Sequence, residues 1–198
     1  MSRARVAAAV GRGLLPVNLL ISFLIASSAV AEVRETLEYT YYDAVAKPGQ
    51  SLSSTLAGAS PIKEQGRIFL GQTKWDVRWN IWWNERDGAC KITSVRTHVA
   101  AIIKLPRLVG GNAEQVSAFE RYAVALKQHE LGHYQIGKDA AMEIDHALLT
   151  MPAMPDCSRL VKTANDGAYR TLELYKEKER LYDVDTGHGK SQGAWLDK

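Results

Sequence analysis

The sequence predicts an α+β fold in which an antiparallel sheet packs against long helices. Strand-like alternation of apolar and polar residues dominates residues 33–105, and apolar residues at steps of three and four dominate residues 113–182. Pro and Gly residues separate the alternating stretches from the helical ones. Strands followed by helices, rather than strands alternating with helices, favour α+β over a parallel α/β architecture.

The predicted elements follow one another with clear boundaries. They are a strand at 33–45, a short helix at 51–59, a strand at 73–84, a strand at 90–105, a helix at 113–149 and a helix at 158–182. The turn at 85–88 joins the last two strands into a long antiparallel hairpin, and Pro106 is expected to end its second strand. Asn112 begins the first long helix, and Pro152 and Pro155 end it.

Residues 1–31 have the pattern of a Sec signal peptide. Three arginines precede an apolar run at 14–26, and Ala29-Val30-Ala31 is a small-x-small cleavage signal. The apolar run is shorter than the roughly 20 residues that span a bilayer, so we expect no membrane anchor after cleavage. The sequence therefore predicts a mature domain at 32–198 and a periplasmic or secreted location.

The charge of the mature chain bears on whether it binds nucleic acid or membranes. The full sequence has 25 Lys and Arg against 22 Asp and Glu, but three of the arginines and none of the acids lie in residues 1–31. The mature chain therefore holds 22 residues of each sign. This balance gives no support for binding to nucleic acid or to an anionic membrane.

The two cysteines of the chain, Cys90 and Cys157, both lie in the mature part. An exported protein meets an oxidising compartment, where two cysteines that close a long loop usually pair. We therefore expect a disulfide between them. A role for either cysteine as a metal ligand is less favoured, because it would leave the other thiol unpaired.

The first long helix contains the motif His129-Glu130-Leu131-Gly132-His133. On a helix, a spacing of four places both imidazoles on one face about one turn apart. Both histidines fall on the apolar stripe that should face the core, where unpaired imidazoles are costly. Two imidazoles at this separation suit Zn²⁺, and Glu130 is placed to accept a proton from an attacking water. The pattern predicts metal-assisted hydrolysis.

A catalytic zinc usually takes three protein ligands, so His129 and His133 need a partner. His188 lies between two glycines in a tail that has the freedom to fold back toward the helix. Glu173 and Glu177, on a helix returning antiparallel, remain alternatives. Tyr182, just before the tail, is a candidate donor to the oxyanion of a tetrahedral intermediate, and Tyr134 is a weaker one.

The chain resembles a family of predicted secreted zinc-dependent proteases of bacteria, a domain of unknown function grouped with the zincin metallopeptidases. The residues that carry the resemblance are Ile92-Thr93-Ser94-Val95-Arg96, Leu105-Pro106-Arg107, the His129 to His133 motif with Gly137 and Ala140-Ala141, and Tyr182-Asp183 with Thr186, His188 and Gly189. The resemblance implies a small zincin-like domain and an inferred peptidase activity on a peptide or protein substrate. It also favours His188 as the third ligand.

Two other functions remain open from sequence alone. In one, a periplasmic binding or assembly module uses zinc only to hold its tail, and Glu130 has no catalytic role. In the other, the domain holds no metal, and the histidines serve packing or hydrogen bonding.

Overall fold

The structure, a computed structural model, describes residues 33–196. Its elements are β1 (Val33–Val45), α1 (Leu52–Ala59), β2 (Lys63–Glu64), β3 (Arg67–Ile68), β4 (Gln72–Arg86), β5 (Ala89–Val109), α2 (Ala113–Leu149), α3 (Cys157–Thr186) and a 3₁₀ turn at Lys190–Gln192. The predicted α+β class is confirmed. No helix within residues 33–196 is long and apolar enough to cross a membrane. The predicted signal peptide at 1–31 lies outside the described residues and stays a prediction.

The main sheet has three strands in the order β1-β5-β4. β4 and β5 form the predicted antiparallel hairpin, with a bulge between Trp82 and Trp83. The sequence predicts an antiparallel sheet, but β1 runs parallel to β5, so the sheet is mixed. A parallel neighbour requires a long connection, and here the 43 residues from 46 to 88 supply it.

One face of the sheet packs against α2 and α3. Val77 on β4 and Val99 on β5 lie opposite each other and contact Ile144 and Leu148 of α2 within one buried cluster. Leu160, Ala164 and Ala168 bring α3 onto the same cluster. A second cluster, farther toward the start of α2, surrounds Ile103 and Leu126. The histidine motif lies on α2 among residues of the second cluster, between Leu126 and Tyr134.

Two predicted boundaries were wrong for identifiable reasons. β5 continues through Pro106 to Val109. The first residue of β4, Gln72, pairs with Lys104 of β5, so β4 has no residues opposite Pro106. Beyond that point β5 has β1 as its only strand partner among the described residues, and proline is tolerated on a strand with one free edge. α3 extends to Thr186, one turn beyond the predicted end at Tyr182.

Cys90 and Cys157 form a disulfide, with their Cα atoms 5.2 Å apart. Next to it, backbone hydrogen bonds join Cys90 and Met154 in both directions. The bridge closes a loop of 67 residues in sequence separation, which in the chain-entropy model stabilises the folded state by about 4 kcal/mol. It joins the first residue of α3, Cys157, to the second residue of β5, Cys90. The bridge therefore limits how α3 can slide along α2.

The buried pair Thr97 and Asp145 gives a test of the packing between sheet and helix. Both side chains are fully buried, and the Thr97 hydroxyl donates to Asp145 Oδ1 at 2.7 Å. Among residues 33–196, Asp145 Oδ2 has no hydrogen-bond partner, and Thr97 makes the only side-chain hydrogen bond to this carboxyl group. We expect Thr97→Val to lower the free energy of unfolding by about 1–3 kcal/mol, measured by urea denaturation. Thr97→Ser keeps the hydroxyl and should lose less; equal losses in both variants would contradict this account.

Candidate metal centre and cleft

The histidine motif lies on the buried face of α2. His129, Glu130 and His133 are 3%, 3% and 6% exposed. The predicted spacing brings the two imidazoles together, with His129 Nε2 and His133 Nε2 3.3 Å apart. Three ionisable side chains within two helical turns are costly to bury unless each has a partner, so the surroundings of these side chains define the site.

Asp183, in the unpredicted last turn of α3, supplies a third donor. Its Oδ1 lies 3.2 Å from His129 Nε2 and 3.1 Å from His133 Nε2. The three atoms form a nearly equilateral triangle. Zinc bonds of about 2.0–2.1 Å place two tetrahedral ligands about 3.3 Å apart, so the spacing of these donors fits a zinc ion. Residues 33–196 contain one other group with donors this close, Glu85 with Cys90 and Cys157, but its two sulfur atoms are joined in the disulfide.

The outer nitrogens of both imidazoles also have partners. His129 Nδ1 lies 2.9 Å from the amide oxygen of Gln192. This oxygen only accepts, so Nδ1 carries a proton, and in the neutral ring Nε2 is the nitrogen that can present a lone pair to a metal ion. His133 Nδ1 lies 3.3 Å from Glu179 Oε1, in ion-pair contact although not aligned for a hydrogen bond. Such outer contacts are those that orient metal-binding histidines.

The pKa values follow from this crowding. Burial opposes a charged imidazole at His133, but contacts with Asp183 and Glu179 outweigh burial and raise the pKa of His133 to about 9. Burial would raise the pKa of Asp183, but hydrogen bonds with His129 and His133 prevail and hold it well below its usual range. The metal-free cluster therefore holds a proton at neutral pH, and a bound metal ion would replace it.

Glu130 points from α2 toward the start of β4. Its Oε2 accepts a hydrogen bond from the Thr73 hydroxyl at 2.8 Å. A Cβ on Gly71 would collide with Glu130 Oε1 and lie 2.9 Å from Leu126 Cδ1, so only glycine at 71 leaves room for the carboxyl group. Burial raises the pKa of Glu130, and the Thr73 hydrogen bond and both histidines oppose this only in part. Glu130 is thus fixed in position and more basic than an exposed glutamate.

Tyr182 packs against both imidazoles. Its ring is stacked on His129 and meets His133 edge-on, with centroids 5.0 Å away in each case. A Cβ at Gly132 would overlap the Tyr182 hydroxyl. That hydroxyl contacts the His129 carbonyl and the Gln192 side chain, and Tyr182 is not among the residues that line the main cleft. In this arrangement Tyr182 positions the histidines, and its role as oxyanion donor stays a prediction.

His188 lies beside the triangle. Its Nδ1 is 3.3 Å from Asp183 Oδ1, and its side chain is 46% exposed. Its backbone is in the left-handed region, between Gly187 and Gly189, and the His188 N–H donates to the Asp183 carbonyl to end α3. The structure therefore brings His188 to the site, in contact with the third donor. Its role as a zinc ligand stays a prediction.

The two alternative glutamates face elsewhere. Both glutamates are exposed: Glu173 pairs with Lys176, and Glu177 pairs with Arg180. Sequence reasoning missed Asp183, although a signal was present. Glu179 and Asp183 are four residues apart, as are His133 and His129, so two antiparallel helices can bring the pairs face to face.

The site opens into a cleft of about 720 Å³. His129, Glu130, His133 and Asp183 all line it. The walls come from residues 62–74, from α2, from α3 and from residues 187–196. The donor triangle is thus buried on the protein side and accessible from the cleft.

Residues 39–189 match the model of a family described as bacterial protein of unknown function (DUF922). The matched segment includes His129, Glu130, His133, Asp183 and His188. No curated protein and no solved structure matches the chain.

The proton held by the metal-free cluster can be tested directly. In chelator-treated protein, we expect the His133 ring to titrate near pH 9 in long-range ¹H–¹⁵N NMR spectra. Asp183→Asn should move that midpoint to lower pH, because it removes the carboxylate that contributes most to stabilising the charged ring. Glu173→Gln, on the exposed side of α3, serves as the control and should leave it unchanged. An unchanged midpoint in Asp183→Asn would contradict the assignment.

Proposed function

We propose that the chain, which belongs to this bacterial family of unknown function (DUF922), is an exported zinc-dependent peptidase. One observation carries the proposal: the buried triangle of His129, His133 and Asp183 lies in a cleft next to the buried carboxyl group of Glu130. Structural zinc sites usually have four protein ligands and are closed, whereas catalytic sites have three and keep one position open. Three donors that line an open cleft favour catalysis.

The donor set favours zinc over Mg²⁺ and Ca²⁺. Two imidazoles and one carboxylate suit a borderline ion, whereas Mg²⁺ and Ca²⁺ prefer oxygen ligands alone. When bound, zinc would supply a Lewis acid and a water of lowered pKa. The chain's own residues prepare the site for it: Gln192 fixes the tautomer of His129, and Glu179 and His188 contact His133 and Asp183.

Glu130 would act as the general base and then as the general acid. Its raised pKa brings it closer to neutrality, where a carboxyl group exchanges protons most effectively. It accepts the proton of the water that adds to the peptide carbonyl. It then gives this proton to the leaving nitrogen as the C–N bond breaks, so that the products are a carboxylic acid and an amine. Thr73 holds the carboxyl group in place during both transfers.

A peptide substrate suits the edge of the sheet. Among the described strands, β4 pairs only with β5, which leaves its other edge free. The first residues of β4, Gln72 to Lys74, line the cleft. An extended peptide can add to such an edge through backbone hydrogen bonds and so lie across the site. Export, predicted from residues 1–31, is consistent with the Cys90–Cys157 disulfide.

The alternative is a periplasmic zinc-binding module without catalysis. The contacts of His188 and Gln192 with the donors favour this alternative in one respect. A bound metal would connect α2 to the last turn of α3 and to the residues that follow it. It gives no reason, however, for a glutamate that is buried beside the donors and held by Thr73. The two functions differ in the effect of removing the Glu130 charge.

The ligand set is tested by zinc stoichiometry. We expect one zinc per chain in the purified protein and its loss in Asp183→Ala. His188→Ala should keep the metal but bind it about 10- to 100-fold more weakly, as expected for an outer contact. Glu177→Ala, on the exposed side of α3, is the control. Loss of zinc in His188→Ala with retention in Asp183→Ala would instead support the ligand set predicted from sequence.

The catalytic role is tested with Glu130→Gln. The amide keeps the size of the side chain but cannot accept the proton, so hydrolysis of a peptide library should fall by at least about 100-fold while zinc content stays at one per chain. Cleavage is measured by mass spectrometry of the products. Glu179→Gln should retain more activity, because Glu179 only contacts the outer nitrogen of His133. Zinc-loaded wild-type protein that cleaves no peptide would remove the peptidase function.

A further inference from the structure

The two ends of the cleft differ in chemistry. α2 and α3 run antiparallel, as shown by the contacts of His129 with Asp183, of His133 with Glu179 and of Glu143 with Tyr175. Residues before His129 on α2 and residues before Asp183 on α3 therefore lie on opposite sides of the donor triangle. Both sets line the cleft.

The end toward the start of α2 is apolar. Tyr122 and Leu126 line it from α2, and both are buried. Ile62 and Leu70 line it from the segment before β4, and Ala194 and Leu196 line it from the tail. Leu70, Ala194 and Leu196 pack against the buried cluster that contains Tyr122 and Leu126, so these cleft residues adjoin one another.

Two large apolar side chains stay exposed at the walls of the cleft. Ile68, in the β2–β3 hairpin, is 48% exposed, and Trp195, in the tail, is 51% exposed. Exposed apolar surface that lines a cleft usually marks a contact with a ligand. Trp195 is also held in place, because Lys190 Nζ lies 3.9 Å from its ring centroid and the Ala194 N–H donates to the Gly189 carbonyl.

The other end of the cleft is charged. Lys176 and Arg180 line it from α3, and Glu179, which contacts His133, lines it too. Each of the two cations is paired with an exposed acidic neighbour, Glu173 for Lys176 and Glu177 for Arg180. An apolar side chain would gain little by entering it. We therefore expect a preference for apolar substrate side chains on only one side of the bond that is cut.

We infer that the apolar end is a subsite for one large apolar side chain of a peptide, next to the bond that is cut. The inference rests on the proposed function. Leu126 is one helical turn before Glu130, so a side chain that contacts Leu126 lies within a residue or two of the reacting carbonyl. Trp195 and Leu196 form the outer wall of the subsite, and so these two residues determine its specificity.

The substrate experiment uses zinc-loaded protein and a peptide library with each position varied among large apolar, small, acidic and basic residues. We expect Leu, Phe or Met on one side of the cleaved bond, and values of kcat/KM about 10- to 100-fold higher for Leu than for Ala at that position. Trp195→Ala should reduce this ratio by at least about fivefold. Trp83→Ala, which removes a similarly exposed Trp from the β4–β5 hairpin, should leave the ratio unchanged.

A binding experiment separates failure of the subsite from failure of the peptidase function. Zinc-loaded Glu130→Gln protein is titrated with two fluorescein-labelled octapeptides of Gly and Ser that differ only by Leu or Ser at one central position. Tighter binding of the Leu peptide, weakened in the Glu130→Gln/Trp195→Ala double variant, supports the subsite even if the wild type cleaves nothing. Equal or undetectable binding of both peptides, or discrimination that survives Trp195→Ala, overturns it.

Discussion

The site depends on the register between two antiparallel helices. His129 and His133 of α2 face Asp183 and Glu179 of α3, so that Asp183 contacts both imidazoles and Glu179 contacts the outer nitrogen of His133. A shift of α3 by one residue would rotate Asp183 by about 100° away from the imidazoles. The disulfide fixes the start of α3, and the small residues Ala164 and Ala168 let the helix pack closely on the core. Global packing therefore determines whether three donor atoms meet.

The glycine inside the histidine motif serves the same register. Gly132 faces Tyr182, whose ring lies against both imidazoles, and any Cβ at 132 would overlap the phenol hydroxyl. The ring fills the space where α3 crosses α2 and so keeps the imidazoles from turning. Because Asp183 directly follows Tyr182 along the chain, the residue that orients the histidines also positions the third donor.

The sequence predicted what depends on local periodicity and motif spacing. β1 and α2 have the predicted bounds, and His129 and His133 share one buried face as expected. The missing part depends on contacts between distant segments. The apolar positions of α3 end near Leu181, so the sequence predicts a tail from Asp183 onward, yet the helix continues until Gly187 ends it in a left-handed conformation. Gln192 and Thr73 are ordinary polar residues in the sequence. Their roles follow only from the groups that they contact in the structure.

The tail after α3 links ligand orientation to substrate recognition. Gln192 holds His129 from the outside, and only two residues later Ala194 enters the apolar end of the cleft. A turn at Lys190–Gln192 connects these two contacts, and backbone hydrogen bonds from Gln192 and Ala194 to Gly189 stabilise it. A displacement of Leu196 or Trp195 by a ligand would therefore pull on the residue that fixes the His129 tautomer. In this fold, the wall that would contact a substrate and the support of the metal donor are one short segment.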